Sequence, residues 1–451
     1  MNKEGKLRNR RFFDEKKKAL KISVKEGSAS AVAIGLADTQ VTPFALAINA
    51  SSFQIGLLNS LAGLISPLAQ LYGDKLMESH SRKSIVRKFV FWQALLWLGM
   101  ITFSFLFWKG IFQEHLAIIF IIAYTILAAL GGIAYPAWFS WMGDLVPEKE
   151  RGKYFGKRHK ITGLFGLIAT LIGGLILDIT KTHGLVLMGF GIIFFLASVA
   201  RMVSYSYLRK QYAPEFNVKK TDYFSLLSFV KRFDNYGKFA VYNALFNLVL
   251  MIASPFFAVY MLKDLGFNYL TFTVISMSSS VFILFFAPLA GKFADKYGNR
   301  KLFSLGCLLF SLNPILWIVF KIPIMLILIQ AIAGLANAAH MISITNFTYD
   351  STRKSHRALC ITYTNILGGI GIFFGALIGG ILVNYAHPPN INPFLFVFFV
   401  SAIGRWLVSL FLVPQIKEQK KVTKLNEPHF NLLHPVKTFQ SEVSFVKRFF
   451  T

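Results

Sequence analysis

Asp38 is the one carboxylate placed near the centre of a long apolar run, flanked by Thr39 and Gln40 with Pro43 a turn further on. A charge at mid-bilayer costs about 2.5–3.5 kcal/mol on insertion scales, so it usually faces a protein interior or water. There it can load and release a proton. The plainer alternative is an Asp hydrogen-bonded to a neighbouring helix. No cationic residue lies within a helical turn of it, and Gln40 points away around the helix, leaving other helices to supply any partner. Asn243 and Asn247 sit one turn apart in a later apolar run, and Asn337 and His340 are three residues apart in another. Either pair can hydrogen-bond a polar solute or glue two helices together. Tyr135 and Trp138 offer an aromatic wall or simple packing. No catalytic constellation, zinc-type Cys/His spacing, G-x-S-x-G elbow or phosphate loop is present, which argues against an enzyme, a metal site and a cofactor.

The elements that must position these residues follow from composition. The 451 residues are 55% hydrophobic and only 15% charged, against about 25% charged in soluble domains. Apolar segments recur at 26–50, 53–76, 85–108, 115–142, 158–180, 184–208, 238–263, 268–291, 301–320, 323–349, 358–386 and 392–413. Each is long enough to span a bilayer core. The chain is therefore expected to be an all-α membrane protein of twelve transmembrane helices. With twelve spans, 42 of the 48 Lys and Arg residues fall on the side of the termini and only Lys109, Lys181, Lys263 and Lys321 on the other. That asymmetry predicts cytoplasmic termini and a multi-pass protein of the cell membrane. The net charge of +27 then faces anionic membrane lipid and not nucleic acid. Cys307 and Cys360 suggest neither a disulfide framework nor a metal site. No cleavable signal peptide is visible, so the first span is expected to act as its own insertion signal. Arg201 and Arg405 occupy matching places in the sixth and twelfth spans, where snorkelling to the headgroups accounts for them.

The chain divides into a basic arm (1–25), a six-span half (26–208), a polar linker (209–237), a second six-span half (238–414) and a tail (415–451). The halves repeat. Asp144, Arg151, Gly163, Leu171, Gly173 and Gly174 match Asp350, Arg357, Gly369, Leu377, Gly379 and Gly380 at a constant offset of 206. A hairpin motif repeats too: SPLAQLYGDKLMESHSRK (66–83) aligns with APLAGKFADKYGNRK (287–301), pairing Asp74 with Asp295. The first copy has three extra residues before Arg82 and Lys83, and Gln70 in place of Gly291. In the second copy Gly298 suits a tight turn, with Arg300 and Lys301 after it. Asp295 ends a helix at the wrong pole of its dipole, so it should find a partner such as an Arg or a facing helix N-terminus.

The pattern G-x-x-x-D-K-x-G-x-R-K at 291–301 resembles the loop signature of the major facilitator superfamily of secondary transporters. D-x-x-P-x-x-x-R-G at 144–152 resembles the E-x-x-P-x-x-x-R-G loop of its sugar-porter-like members, with Asp144 in place of Glu. The resemblance covers most of 26–414. The G-P-x-x-G-G pattern of drug antiporters is not met, because Ala169 and Thr170 stand where Gly-Pro would be, so drug export is less favoured.

The resemblance implies two six-helix pseudo-repeats that rock about a central site by alternating access. It also implies a small-molecule substrate, no cofactor and a monomer. Gln40, Tyr135, Trp138, Asn243, Asn247, Asn337 and His340 then become candidates for the substrate pathway. Asp38 becomes the proton-coupling candidate. Asp74, Arg82, Asp144, Arg151, Gly291, Asp295, Gly298, Arg300, Asp350 and Arg357 become a cytoplasmic gate. Proton-coupled transport, facilitative uniport, drug-efflux antiport and a non-transporting membrane scaffold remain open readings, and the identity of the solute is not written in the chain.

Overall fold

The computed structural model describes residues 3–147, 150–214, 226–231, 234–352 and 357–418. The middle of the linker, the tail beyond 418, and the side chains of Arg151 and Arg357 lie outside the described residues. Regular structure among the described residues is helical throughout. In chain order the helices are α1 (Lys3–Leu36), α2 (Val41–Ala47), α3 (Ser52–Leu76), α4 (Arg82–Trp108), α5 (Gln113–Leu145), α6 (Arg151–Thr182) and α7 (Val186–Lys210). They continue as α8 (Leu226–Val230), α9 (Asn235–Ala253), α10 (Phe256–Val259), α11 (Tyr269–Tyr297), α12 (Asn299–Val319), α13 (Pro323–Ser351), α14 (Arg357–Tyr385) and α15 (Pro393–Leu412).

Eleven helices among the described residues are long and apolar enough to cross a membrane. The first expected span is not one of them, because it is broken. The apolar end of α1 stops at Leu36, a single 3-10 turn covers Asp38–Gln40, and α2 resumes at Val41. Pro43 favours the interruption, because it has no N–H to give the carbonyl of Thr39. Thr39 Oγ1 meanwhile donates to the carbonyl of Gly35 at 2.7 Å. The seventh span is also discontinuous. Its regular helix is interrupted at Ser254 and Pro255, between α9 and α10, and it ends in a π-helical turn, Tyr260–Asp264. Discontinuous membrane helices put irregular backbone where it lines a cavity.

The chain forms two compact units. One holds Met1–Lys220 with Pro255–Thr273, and the other Thr221–Ser254 with Val274–Thr451. The boundary therefore leaves α10 and the first turn of α11 with the first unit. Inside that unit α1 packs on α6 and α7, and α4 on α5 and α7. In the second unit α9 packs on α14 and α15, and α12 on α13 and α15. The repeat in the sequence is thus a repeat in packing. Close crossings depend on glycine: a Cβ on Gly35 would lie 2.3 Å from the Gly166 carbonyl oxygen, and one on Gly371 would lie 2.1 Å from that of Ala244.

Two helix starts position the gate candidates. Ser81 caps α4, accepting from Ser84 N at 3.3 Å, so Arg82 is its first residue. Gly298, at φ 102°, precedes α12 in the left-handed region and makes Asn299 the first residue there. The arm does not end where the span begins. α1 runs continuously from Lys3, with Ala19 buried against the start of α4 and the end of α5 and Ser23 buried beside Met142 of α5. Tyr154 Oη donates to the Leu20 carbonyl at 3.0 Å, fixing α6 to the same stretch. Cys307 and Cys360 are buried and not joined in a disulfide.

Candidate functional site

The interior of the first unit holds a cavity of about 260 Å³ between α1, α4, α5 and α7, with the broken turn at its rim. Asp38, Ser30, Gln93, Trp97, Tyr124 and Arg201 are on its wall, completed by small and apolar residues including Ala33 and Gly131. Arg201 does not snorkel to the headgroups. Its Nε and Nη2 both donate to Gln93 Oε1, the first at 3.0 Å, and its Nη1 donates to Ser30 Oγ at 2.6 Å. Gln93 is oriented by its own bond to the Leu127 carbonyl at 3.3 Å. The Asp38 carboxylate accepts no hydrogen bond among the described residues. Arg201 is near enough to it to interact electrostatically, without forming an ion pair. The cation absent from Asp38's own helix is therefore supplied by another.

A second charged group lies on α1 twelve residues earlier. Glu26, 5% exposed, is held by Arg158 Nη2 at 3.3 Å and by Ser204 Oγ at 2.9 Å. Arg158 also donates to the Ser23 carbonyl at 3.3 Å and lies 4.8 Å over the Trp138 ring. Trp138 is thus occupied by a cation of its own unit. Tyr135 is exposed and stacks on Phe139. Gln40 is fully buried: its Nε2 reaches Thr273 Oγ1 at 3.5 Å, and its Oε1 has no partner among the described residues.

In the second unit the polar candidates fall into two places. Asn247 Nδ2 donates to the Asn243 carbonyl at 2.7 Å and approaches Asn243 Oδ1 at 3.3 Å, so the pair is bonded within its own helix. Asn337 bonds back to the Ala333 carbonyl at 2.8 Å. His340 sits among the rings of Phe246, Phe303 and Phe310, with centroids 5.2–5.5 Å away, and its Nδ1 is buried without a partner among the described residues. Arg405, the counterpart of Arg201, is 2% exposed and does not snorkel either. It donates to the carbonyls of Phe310 at 2.9 Å and Leu250 at 3.1 Å, and to Ser401 Oγ at 3.0 Å. It is a tie between α15, α12 and α9.

The gate candidates group differently from their order in the sequence. Arg82 joins Asp144 Oδ2 at 2.6 Å and donates to Ser140 and to the Pro214 carbonyl. Asp350 accepts from Asn299 Nδ2 at 2.9 Å, and Asn346 donates to Asn299 Oδ1 at 3.0 Å. Arg82 and Asn299 are therefore structural counterparts, although the motif alignment pairs Arg82 with Arg300. The backbone N–H of Arg300 is taken by Glu418 at 2.8 Å. Asp295 is exposed and, against expectation, makes no ion pair or hydrogen bond among the described residues. Asp74 is half-buried in the last turn of α3 and likewise makes none. Gly291 has open space where a Cβ would stand.

Glu26, Gln93, Tyr124, Arg158 and Arg201 were not among the site residues read from sequence. Arg201 was visible as an ionisable residue inside a span, which is itself a functional signal. Gln93 and Tyr124 gave none, because the sequence does not say which helix faces α1.

Comparison with known proteins places the chain in a family. The family model of the Major Facilitator Superfamily matches residues 28–233 and 239–450. The chain is similar to the quinolone resistance protein NorA of Staphylococcus aureus (strain MRSA252), 27% identical over 187 residues, covering 41% of this chain and 46% of the relative. It is also similar to the quinolone resistance protein NorB of Staphylococcus aureus (strain bovine RF122 / ET3-1), 29% identical over 190 residues, covering 41% of this chain and 37% of the relative. The match thus spans less than half the length of either relative. Among solved structures, the nucleoside transporter NupG aligns with a TM-score of 0.64 at 15% identity, covering 88% of this chain and 99% of that one. A bacterial homologue of the iron transporter ferroportin in an inward-facing state aligns with a TM-score of 0.64 at 13% identity, covering 88% and 98%. Likeness at such identities speaks for the fold alone.

Proposed function

This chain belongs to the major facilitator superfamily, and we propose that it moves a small solute across the cell membrane by alternating access, coupled to protons through Asp38. The observation that carries the coupling is the position of Asp38. Its carboxylate stands at the break in the first span, faces a cavity, and accepts no hydrogen bond among the described residues. A carboxylate so placed is free to exchange a proton with whatever enters. Both termini are cytoplasmic on this reading, since the basic residues concentrate on that side. Arg82 with Asp144, and Asn299 with Asp350, are the gate contacts.

The test begins with a thermal-shift screen of the purified protein against metabolite libraries, because a bound solute stabilises by mass action. Hits are then followed as labelled solutes in reconstituted vesicles. Wild-type protein accumulates the solute when a pH gradient is imposed. Asp38→Asn loses that accumulation and keeps exchange of labelled for unlabelled solute. Accumulation by Asp38→Asn with the wild-type pH dependence would remove Asp38 from coupling and leave uniport or coupling at His340. Saturable flux in no condition would leave a scaffold.

The likeness to NorA and NorB favours a second reading, efflux of drugs by antiport. The absence of a Gly-Pro pair at Ala169 and Thr170 weighs against it. Expression in a drug-sensitive host separates the two, since an exporter raises resistance to quinolones and an importer does not.

A further inference from the structure

The wall of the first unit's cavity carries two opposite charges that do not satisfy each other. Asp38 contributes a carboxylate without a hydrogen-bond donor among the described residues. Arg201 contributes a guanidinium whose Nε and Nη2 hold Gln93 and whose Nη1 holds Ser30. A guanidinium has five N–H groups. Three are engaged, so two remain, and no carboxylate forms an ion pair with Arg201 among the described residues. Glu26, a buried acid of α1, is already held by Arg158 and Ser204.

Charges kept apart in a low-dielectric interior are costly unless something completes them. A proton on Asp38 would settle one pole only and leave the guanidinium charge on the cavity wall. A simple cation would meet Asp38 but be repelled by Arg201, and a simple anion would suffer the reverse. Like-charge juxtaposition of this kind is a strong device for rejecting the wrong partner. A molecule carrying both charges meets neither objection. The rest of the wall includes the apolar and aromatic residues Ala33, Leu127 and Trp97 beside the phenol of Tyr124, and about 260 Å³ is space for a compact body only.

We propose that this cavity is a binding site for a small zwitterion with an apolar body, of the amino-acid class. Its ammonium group lies against Asp38 and its carboxylate against Arg201. The inference rests on the transport reading for its purpose, since it names the class of solute that the Asp38 site receives. It also gives the coupling a physical form. A proton and the ammonium group compete for one carboxylate, so arrival of the solute releases the proton to water and its departure lets the proton return.

The test uses the purified full chain in lipid nanodiscs and three probes of matched shape: leucine, isoamylamine, which lacks the carboxylate, and isocaproate, which lacks the amine. Binding is read by titration calorimetry. Leucine binds saturably, and each single-charge analogue binds at least about tenfold more weakly. Arg201→Gln brings leucine and isoamylamine to the same affinity, and Asp38→Asn does so for leucine and isocaproate. The ranking of the three probes on the unaltered protein decides the matter even where a variant does not fold. Equal binding of either analogue, no leucine binding at millimolar concentration, or variants that fold and keep the wild-type ranking would each overturn the site. The two readings fail separately. Ranked binding without flux in vesicles overturns transport and keeps the site, whereas proton-driven flux of another solute without leucine binding does the opposite.

Discussion

Arg82 Nη1 lies 2.6 Å from Asp144 Oδ2, yet the two ends of this ion pair live in different surroundings: the guanidinium side is 2% exposed and the carboxylate 50%. The consequences of removing each are therefore unequal. Arg82→Met deletes the charge that was hardest to bury and leaves Asp144 to be hydrated. The lost hydrogen bonds to Ser140 and Pro214 should cost about 1.5–3 kcal/mol. Asp144→Ala instead strands a buried guanidinium without its carboxylate, a change that approaches about 3–5 kcal/mol when both groups are fully buried and less here, because one was half in water. Thermal unfolding of the two purified variants should rank Asp144→Ala as the less stable. The opposite order would mean that Arg82 acts mainly through its neutral contacts.

The counterpart in the second unit is uncharged, and this predicts a different response to substitution. Asn299 is 1% exposed and bridges Asp350 and Asn346. Asn299→Asp puts two carboxylates at hydrogen-bond distance in a buried place and removes the donor to Asp350. It should destabilise the protein at neutral pH and recover part of the loss in acid, where one of the two carboxylates carries a proton. A melting-temperature difference from wild type that is the same at both pH values would show that repulsion is not the cause.

The repeat, the helical class and Asp38 were legible in the sequence because each rests on local pattern: a fixed offset, apolar runs and an acid among apolar residues. The partners were not legible. Asp38, in the turn after α1, shares a cavity wall with Arg201 of α7, which lies across most of the first unit's chain. Periodicity tells which face of a helix is polar and not which helix covers it. The hairpin alignment placed Arg82 beside Arg300 by residue type, whereas the helix starts set the register. Ser81 and Gly298 each stand just before a helix, and the residue after each reaches the same acidic position. Snorkelling failed for Arg201 and Arg405 for a related reason. An Arg inside a bundle can spend its donors on carbonyls, amides and hydroxyls of neighbouring helices, and no headgroup is needed.

Helix crossings give a prediction with its own control. An added Cβ at Gly371 would stand 2.1 Å from the Ala244 carbonyl oxygen, and no flexible atom there can yield. Gly371→Ala must move α14 away from α9, at a cost typical of overpacking, about 1–3 kcal/mol. Gly99, in the interior of α4, has nothing within 4 Å of the same position. Gly99→Ala should be neutral or stabilise by up to about 1 kcal/mol, through helix propensity. Melting temperatures of both variants in one detergent check the contrast.

Topology rests on the 42-to-4 division of Lys and Arg. Reporters fused after residues 80, 150, 225, 298, 355 and 430 should read cytoplasmic, and those after 110, 182, 265 and 321 external. The reporter at 182 matters most, because it follows α6 directly. A cytoplasmic signal there would break the six-plus-six arrangement.

Arg405 and Arg201 stand at matching places in the two halves, and the structure separates their duties. Arg405 is 2% exposed, and its donors go to the carbonyls of Phe310 and Leu250 and to Ser401 Oγ. These bonds fasten α15 to α12 and α9. The Leu250 carbonyl keeps Ser254 N and Oγ as donors, but the Phe310 carbonyl has Pro314 four residues on, so without Arg405 it is left unpaired in a dry interior at a cost of about 1–3 kcal/mol. Arg405→Ala should therefore lower the melting temperature sharply. Arg405→Lys should recover little, since one ammonium cannot reproduce the planar fork that spans two helices. Arg201 lines a cavity and has two N–H groups unengaged among the described residues, so Arg201→Gln should perturb stability less and ligand selectivity more. Measuring thermal stability and probe binding on the same two variants tests this division. A stability loss at Arg201→Gln as large as at Arg405→Ala, with probe ranking unchanged, would make both arginines architectural.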